Sequence, residues 1–198
     1  MVTTGFSLPY VAKYSNSSAT VTYTGGMPLG RGVSLSIEVE GADDNNFFAD
    51  NVLAETENSV FTSGTATITI DGLENSAATL IFGLPAPDTI TPTGGESAEM
   101  QGYGDDMNPP YVGFGCVWMS QMNGVTTWRP VVLTKIKFGL PSQEMNTKED
   151  QIDWQTQELE ATILRDDTAK HRWKYVAAEG MASEEAAFAV VKKMLGGN

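Results

Sequence analysis

The chain has one cysteine, Cys116, and one histidine, His171, in 198 residues. A lone cysteine excludes an intramolecular disulfide and any metal site needing two thiolates from one chain, and it predicts a reducing compartment. A lone histidine excludes a multi-histidine metal centre and leaves a histidine-based triad without a spare ligand. Basic residues are also scarce, with 12 Lys and Arg against 25 Asp and Glu and a formal net charge of -13. At a sequence pI near 4.3, attraction to duplex phosphates has the wrong sign, which argues against a DNA-reading function. No run approaches the roughly 18 apolar residues of a membrane span. The opening MVTTGFSLPYVAKYSNSS lacks the basic, apolar and small-residue order of a secretion signal. The expectation is a soluble protein with no membrane association.

Enough apolar material is present for a core. Hydrophobic residues make up 41%, aromatics 9% and charged residues only 19%, which is the composition of a folded chain, not a disordered acidic one. The length suits one domain with arms. The expected division is a β domain over 1–180 and a C-terminal helix or arm over 181–198.

Most of the chain reads as strand. From Gly32 to Glu40, Val33, Leu35, Ile37 and Val39 alternate with Ser34, Ser36, Glu38 and Glu40, the period of a half-buried strand. The same alternation runs through Ala66, Ile68 and Ile70, and through Leu159, Ala161 and Ile163. Ala19–Thr24, Val112–Met122, Val125–Phe138 and Trp173–Ala177 are further strands by their β-branched and aromatic content. Asn123-Gly124 between two of them predicts a long hairpin, with Pro130 expected on an edge or at a bulge.

Two stretches read as helix. Asp71-Gly72-Leu73-Glu74 has the form of a capping box; the helix after it would carry Leu73, Ala77, Leu80 and Ile81 on one face and stop at Gly83. The second helix starts at Ser183, with Glu184 and Glu185 in its first turn and Lys192 and Lys193 in its last, matching the helix dipole. Phe188, Val191 and Leu195 form its apolar stripe and are the candidate packing residues. Gly41–Ser59 and Pro85–Pro110 read as long polar loops, which in compact domains usually carry function or await a partner.

Residues arranged for chemistry are few. His171 lies in Lys170-His171-Arg172 without an orienting partner and reads as a solvated residue at a strand entrance. Cys116, among Phe114, Val117 and Trp118, reads as a buried inert thiol. Gly25–Gly32 lacks the lysine and hydroxyl of a phosphate loop and reads as a turn. Asp43, Asp44, Asn45, Asn46 and Asp50 depart from the spacing of a calcium loop. Asp105 and Asp106 are adjacent, so they point apart and make no acid-base pair. Tyr10, Tyr14, Tyr103, Tyr111, Trp118, Trp128, Trp154 and Trp173 lack basic interleaving and read as core or interface anchors. No catalytic residue, cofactor or metal is expected, and the profile suits a structural or assembly protein.

Four stretches resemble the major tail protein, or tail tube protein, of long-tailed phages with non-contractile tails. They are Pro9-Tyr10-Val11-Ala12-Lys13-Tyr14; Phe48-Ala49-Asp50-Asn51 with Glu55-Thr56; Asp71-Gly72-Leu73 heading a helix; and Pro110-Tyr111-Val112-Gly113-Phe114-Gly115 through Lys135-Ile136-Lys137-Phe138 to Asn146-Thr147-Lys148 and Trp154-Gln155-Thr156. Together they span about residues 6 to 178; the helix from Ser183 lies outside the resemblance, and the immunoglobulin-like extension of some relatives is absent. The resemblance implies a mainly β fold, a β-sandwich or split barrel with one flanking helix. It also implies a virion protein, made in the host bacterial cytoplasm or from a prophage, that forms rings, typically hexameric, stacked into a tube. The implied partners are further copies of the chain, the tape-measure protein, and tail terminator and baseplate or tail-tip proteins, with DNA passing through unbound.

Two sets of residues follow as candidates. Phe47, Phe48, Val52 and Leu53 in the first long loop are apolar groups a monomer rarely leaves wet, and are candidate contacts between rings. Glu38, Glu40, Glu158 and Glu160 lie at alternating strand positions and either line the lumen or solvate an outer face. The alternative function is a non-viral β-sandwich binding or adhesion module using exposed aromatics and acidic loops; a hydrolase on a β scaffold is weaker because no acid, base and nucleophile set can be named.

Overall fold

The computed structural model describes residues 2–42, 45–49, 52–57, 60–142 and 156–197. The described elements are β1 (Val2–Ser17), β2 (Thr20–Pro28), β3 (Gly32–Gly41), β4 (Asn45–Ala49), β5 (Val52–Glu57), β6 (Phe61–Ile70), α1 (Asn75–Phe82), β7 (Asp88–Ile90), β8 (Ala98–Met100), β9 (Val112–Met122), β10 (Val125–Phe138), β11 (Gln157–Leu164), β12 (Lys174–Val176) and α2 (Glu184–Met194). One antiparallel sheet runs in the order β2-β1-β9-β10-β11-β6-β3, and β12 pairs with β10 beside β11. Its two end strands, β2 and β3, are joined by only Leu29, Gly30 and Arg31. A sheet whose ends are tethered so closely must curl, which gives the mainly β, split-barrel form with flanking helices.

Alternation along the strands builds two cores. On β9, Val112, Phe114 and Cys116 point into the main core with Ile68, Ile70, Ile81, Leu133 and Ile163. Val117 faces the other way, into a second core with Tyr10, Ala12, Val132, Ala187, Val191 and Leu195. Helix α1 belongs to the main core through Ala77, Ala78, Ile81 and Phe82, and α2 closes the second. Gly113 and Gly115 lie beneath α2, where a Cβ would run into Leu195 and Val191. Their bare backbone lets the helix settle directly on the strand.

The β9–β10 hairpin turns at Asn123 (φ 51°) and Gly124 (φ 79°), the paired positive φ of a type I′ turn, as its sequence predicts. Helix α1 stops at Gly83 (φ 60°). Ser183 caps α2 by accepting from the Ala186 N–H, with Glu184 and Glu185 in the first turn and Lys192 and Lys193 in the last.

Four local expectations are corrected. The Asp71 carboxylate does not cap α1; it accepts from the Arg31 backbone N–H at 2.8 Å and from Arg31 Nε at 2.5 Å. Glu74 stands at the N-cap without a side-chain hydrogen bond. The competing partner comes from the β2–β3 connection, 40 residues earlier. Pro130 sits neither at an edge nor at a bulge, since it pairs with Val117 in unbroken register. Its carbonyl accepts from Ala177 N–H at the end of β12, so its missing N–H points to that side and costs β9 no bond. The turn expected over Gly25–Gly32 is reduced to three residues, because β2 continues through Pro28. Within the first polar loop, β4 and β5 form a separate two-stranded ribbon; within the second, β7 and β8 form another.

Candidate functional site

Strands β3, β6 and β11 lie side by side, and their outward residues form cross-strand rows. Ser34 and Glu158 flank Thr69, Ser36 and Glu160 flank Thr67, Glu38 and Thr162 flank Thr65, and Glu40 faces Ser63. Residues paired across antiparallel strands share a face. Glu38, Glu40, Glu158 and Glu160 therefore stand on one wall of hydroxyls and carboxylates, and all four are exposed. Ser34 donates to Thr69 Oγ1 at 2.8 Å and Ser63 to Glu40 Oε2 at 3.0 Å. The opposite side of these strands carries Ile68, Ile70, Leu159, Ala161 and Ile163 in the main core, which holds the wall rigid. Lys137 on β10 extends the Glu38–Thr65–Thr162 row by one strand.

The other candidate residues are dispersed. Phe47, Phe48, Val52 and Leu53 lie on the β4–β5 ribbon, where Phe48 pairs with Leu53 and Ala49 with Val52; their side chains lie outside the described residues. Val191 and Leu195 are fully buried, and Phe188 meets the Tyr10 ring edge-on at 5.7 Å. His171 is exposed, with Nδ1 3.2 Å from the Asp166 carbonyl. Cys116 is fully buried, and burial pushes its thiol well above the ordinary range. Asp105 and Asp106 are exposed. Asp43, Asp44 and Asp50 lie outside the described residues, and so does Trp154.

One cluster escapes sequence reasoning because its members are far apart in the chain. Asp167 Oδ2 accepts from the Tyr14 hydroxyl at 2.7 Å and from Lys135 Nζ at 2.8 Å. The same ammonium lies 5.1 Å from the Tyr14 ring centre and 4.6 Å from that of Tyr111. The Lys135 hydrogen bond, then that from Tyr14, holds the Asp167 carboxyl below its usual range. Burial, then the hydrogen bond to Asp167, raises the Tyr14 hydroxyl above its usual range. A carboxyl depressed in the folded state adds stability above its unfolded pKa of about 3.9, and loses it as pH falls through the folded value. Asp167→Asn is accordingly expected to flatten the acid limb of the melting temperature below about pH 4. An unchanged acid limb in thermal melts of the variant would show that this carboxylate is not stabilising.

Among the described residues no group of three or more His, Cys, Asp or Glu is placed to hold a metal ion. No helix among them is long and apolar enough to cross a membrane. No protein-family model matches the chain, and no curated protein matches it.

Proposed function

We propose that this chain is a self-assembling virion protein, a major tail tube subunit whose rings stack into the conduit for phage DNA. The observation that carries this reading is the wall of Ser, Thr and Glu across β3, β6 and β11. A conduit for duplex DNA needs a surface that is wetted, stiff and anionic on balance; here four glutamates outnumber the single Lys137 at the end of one row, so phosphates find little to hold them. The two ends of the sheet add support. Strands β2 and β3 each pair on one side within the main sheet, and an open edge is a template for another chain. In this reading the rings are hexamers, the tape-measure protein occupies the lumen before DNA, and terminator and baseplate proteins bind the tube ends.

The aromatics available to a binding module are fewer. Of the Tyr and Trp residues read above as core or interface anchors, Tyr103 and Tyr111 are exposed among the described ones, and Lys135 and Lys137 stand 4.6 and 5.8 Å from the Tyr111 ring centre. Negative-stain microscopy of the purified chain, alone and with the products of its neighbouring genes, tests the proposal. Rings or tubes are expected. Deleting residues 45 to 54 is expected to leave a folded subunit that forms rings but no tubes. A wild-type chain that stays monomeric under all these conditions would overturn the reading.

A further inference from the structure

The segment 85–110 is an arm with an uncovered apolar side. Its β7 and β8 pair Asp88 with Met100 and Ile90 with Ala98, so Ile90, Ala98 and Met100 share one face of the ribbon, with Asp88 beside them on it. Ile90 is 55% and Met100 57% exposed. A lone two-stranded ribbon is marginal in water, and this one is bonded to no other sheet. The arm also carries Asp88, Glu96, Glu99, Asp105 and Asp106 without one basic residue.

A surface of opposite character lies elsewhere on the same chain. Arg165, Lys170, Arg172 and Lys174 fall within one short stretch of an otherwise acidic protein. The ion pairs among the described residues are Arg31–Asp71 and Lys135–Asp167, which leaves Lys170, Arg172 and Lys174 without a carboxylate. Lys174 lies over the Trp118 and Trp173 rings at 4.7 and 5.6 Å, and Trp173 stacks on Phe61 at 4.9 Å. Val176, two residues beyond Lys174 on the same face of β12, is 42% exposed. Lys174 and Val176 share one face of β12, while Arg172 lies over the Tyr175 ring on the other; the patch is thus apolar with the Lys174 cation beside it, and the arm's face is apolar with the Asp88 carboxylate beside it.

We infer that the 85–110 arm of one copy docks on the Lys170–Val176 patch of a second copy. The inference rests on the reading of the chain as a self-assembling subunit and names the surfaces that assembly uses. Arm and patch are different surfaces, so the contact is heterologous, and repeating it generates a ring or an open helix instead of a closed dimer. Burying Ile90 and Met100 against Val176 and the tryptophans supplies affinity, and the opposite charges supply register and rate.

Cysteine pairing between two differently marked chains tests it, because Cys116 is fully buried and silent. Met100→Cys and Val176→Cys chains are made separately, assembled as a mixture and exposed to mild oxidant. Wild-type protein is sized in parallel. Docking raises the effective concentration of the two thiols to the millimolar range, so the mixed dimer is expected to form about a hundredfold faster than dimers in either chain alone. If wild-type protein assembles and no mixed dimer forms, the docking is wrong while the tube reading stands. Rapid dimers of Met100→Cys chains alone would mean arm-to-arm pairing and would equally overturn it. A wild-type chain that never self-associates removes both proposals together.

Discussion

Replacing Gly115 by leucine is expected to expel helix α2 and lower the unfolding free energy by about 3–5 kcal/mol, the burial value of two large aliphatic side chains. A Cβ at Gly115 meets Val191 at once and Leu195 at 3.1 Å, with the Val131 carbonyl 3.5 Å away. The strand cannot yield, because β9 is held by β1 on one side and β10 on the other. The helix must yield, and Ala187, Val191 and Leu195, all fully buried now, return to water. Urea unfolding monitored by tryptophan fluorescence should show an earlier midpoint, and trypsin should cut rapidly at Lys192 and Lys193. Truncation after Gly180 removes the same cover and should match it. An unchanged midpoint for both variants would mean that α2 contributes no cover to the second core.

The features legible in the sequence are those whose cause is local. Alternation marks β3, β6 and β11 because each buries one face, and Asn123-Gly124 declares its hairpin through the φ values it tolerates. The glutamate face was legible for the same reason: a period of two puts Glu38 with Glu40, and Glu158 with Glu160, before any fold is known. That β6 lies between them and supplies a threonine column was not legible, since the register of β6 with β3, whose partners are 20 to 38 residues apart, and with β11, whose partners are 87 to 99 apart, leaves no trace in any of the three. Strand β1 escapes a pattern reading because its pairing shifts at Thr3/Gly5, Ser7/Tyr10 and Val11/Lys13, and each irregularity breaks the alternation. Asp71 misleads for another reason. Its spacing to Glu74 fits a cap, but Arg31 offers both a backbone N–H and a guanidinium, and a charge-assisted pair outcompetes a local turn.

Under the proposed tube assembly, changing Glu38, Glu40, Glu158 and Glu160 together to lysine is expected to convert tubes from DNA-indifferent to DNA-retaining. All four residues are exposed and none makes an ion pair among the described residues, so the substitution should leave the subunit folded. Each phosphate neutralised releases counterions, so retention should fall steeply with salt. Four contacts would weaken binding about a hundredfold between 50 and 200 mM. The screening length of about 8 Å at physiological ionic strength confines the effect to groups on the wall itself. Particles carrying the variant should eject their genome slowly or incompletely, more so at low salt. Normal ejection, or free labelling of these positions from outside intact tubes, would move the four glutamates to the outer surface.

Strand β1 has a consequence for how the protein is made. Its residues Val2 to Lys13 pair along β9, which ends at Met122, while Tyr10 to Ser17 find β2 close by. During synthesis at about 5–20 residues per second, the first strand therefore waits on the order of ten seconds for its long-range partner. Through that interval Val11 has none of its β9 neighbours, and the main core cannot close. Sheets assembled from such distant segments fold slowly, typically in milliseconds to seconds once all parts are present. A ribosome-bound chain halted before residue 112 should be digested by protease almost throughout, whereas one halted beyond Leu164 with the exit tunnel cleared should already protect β1.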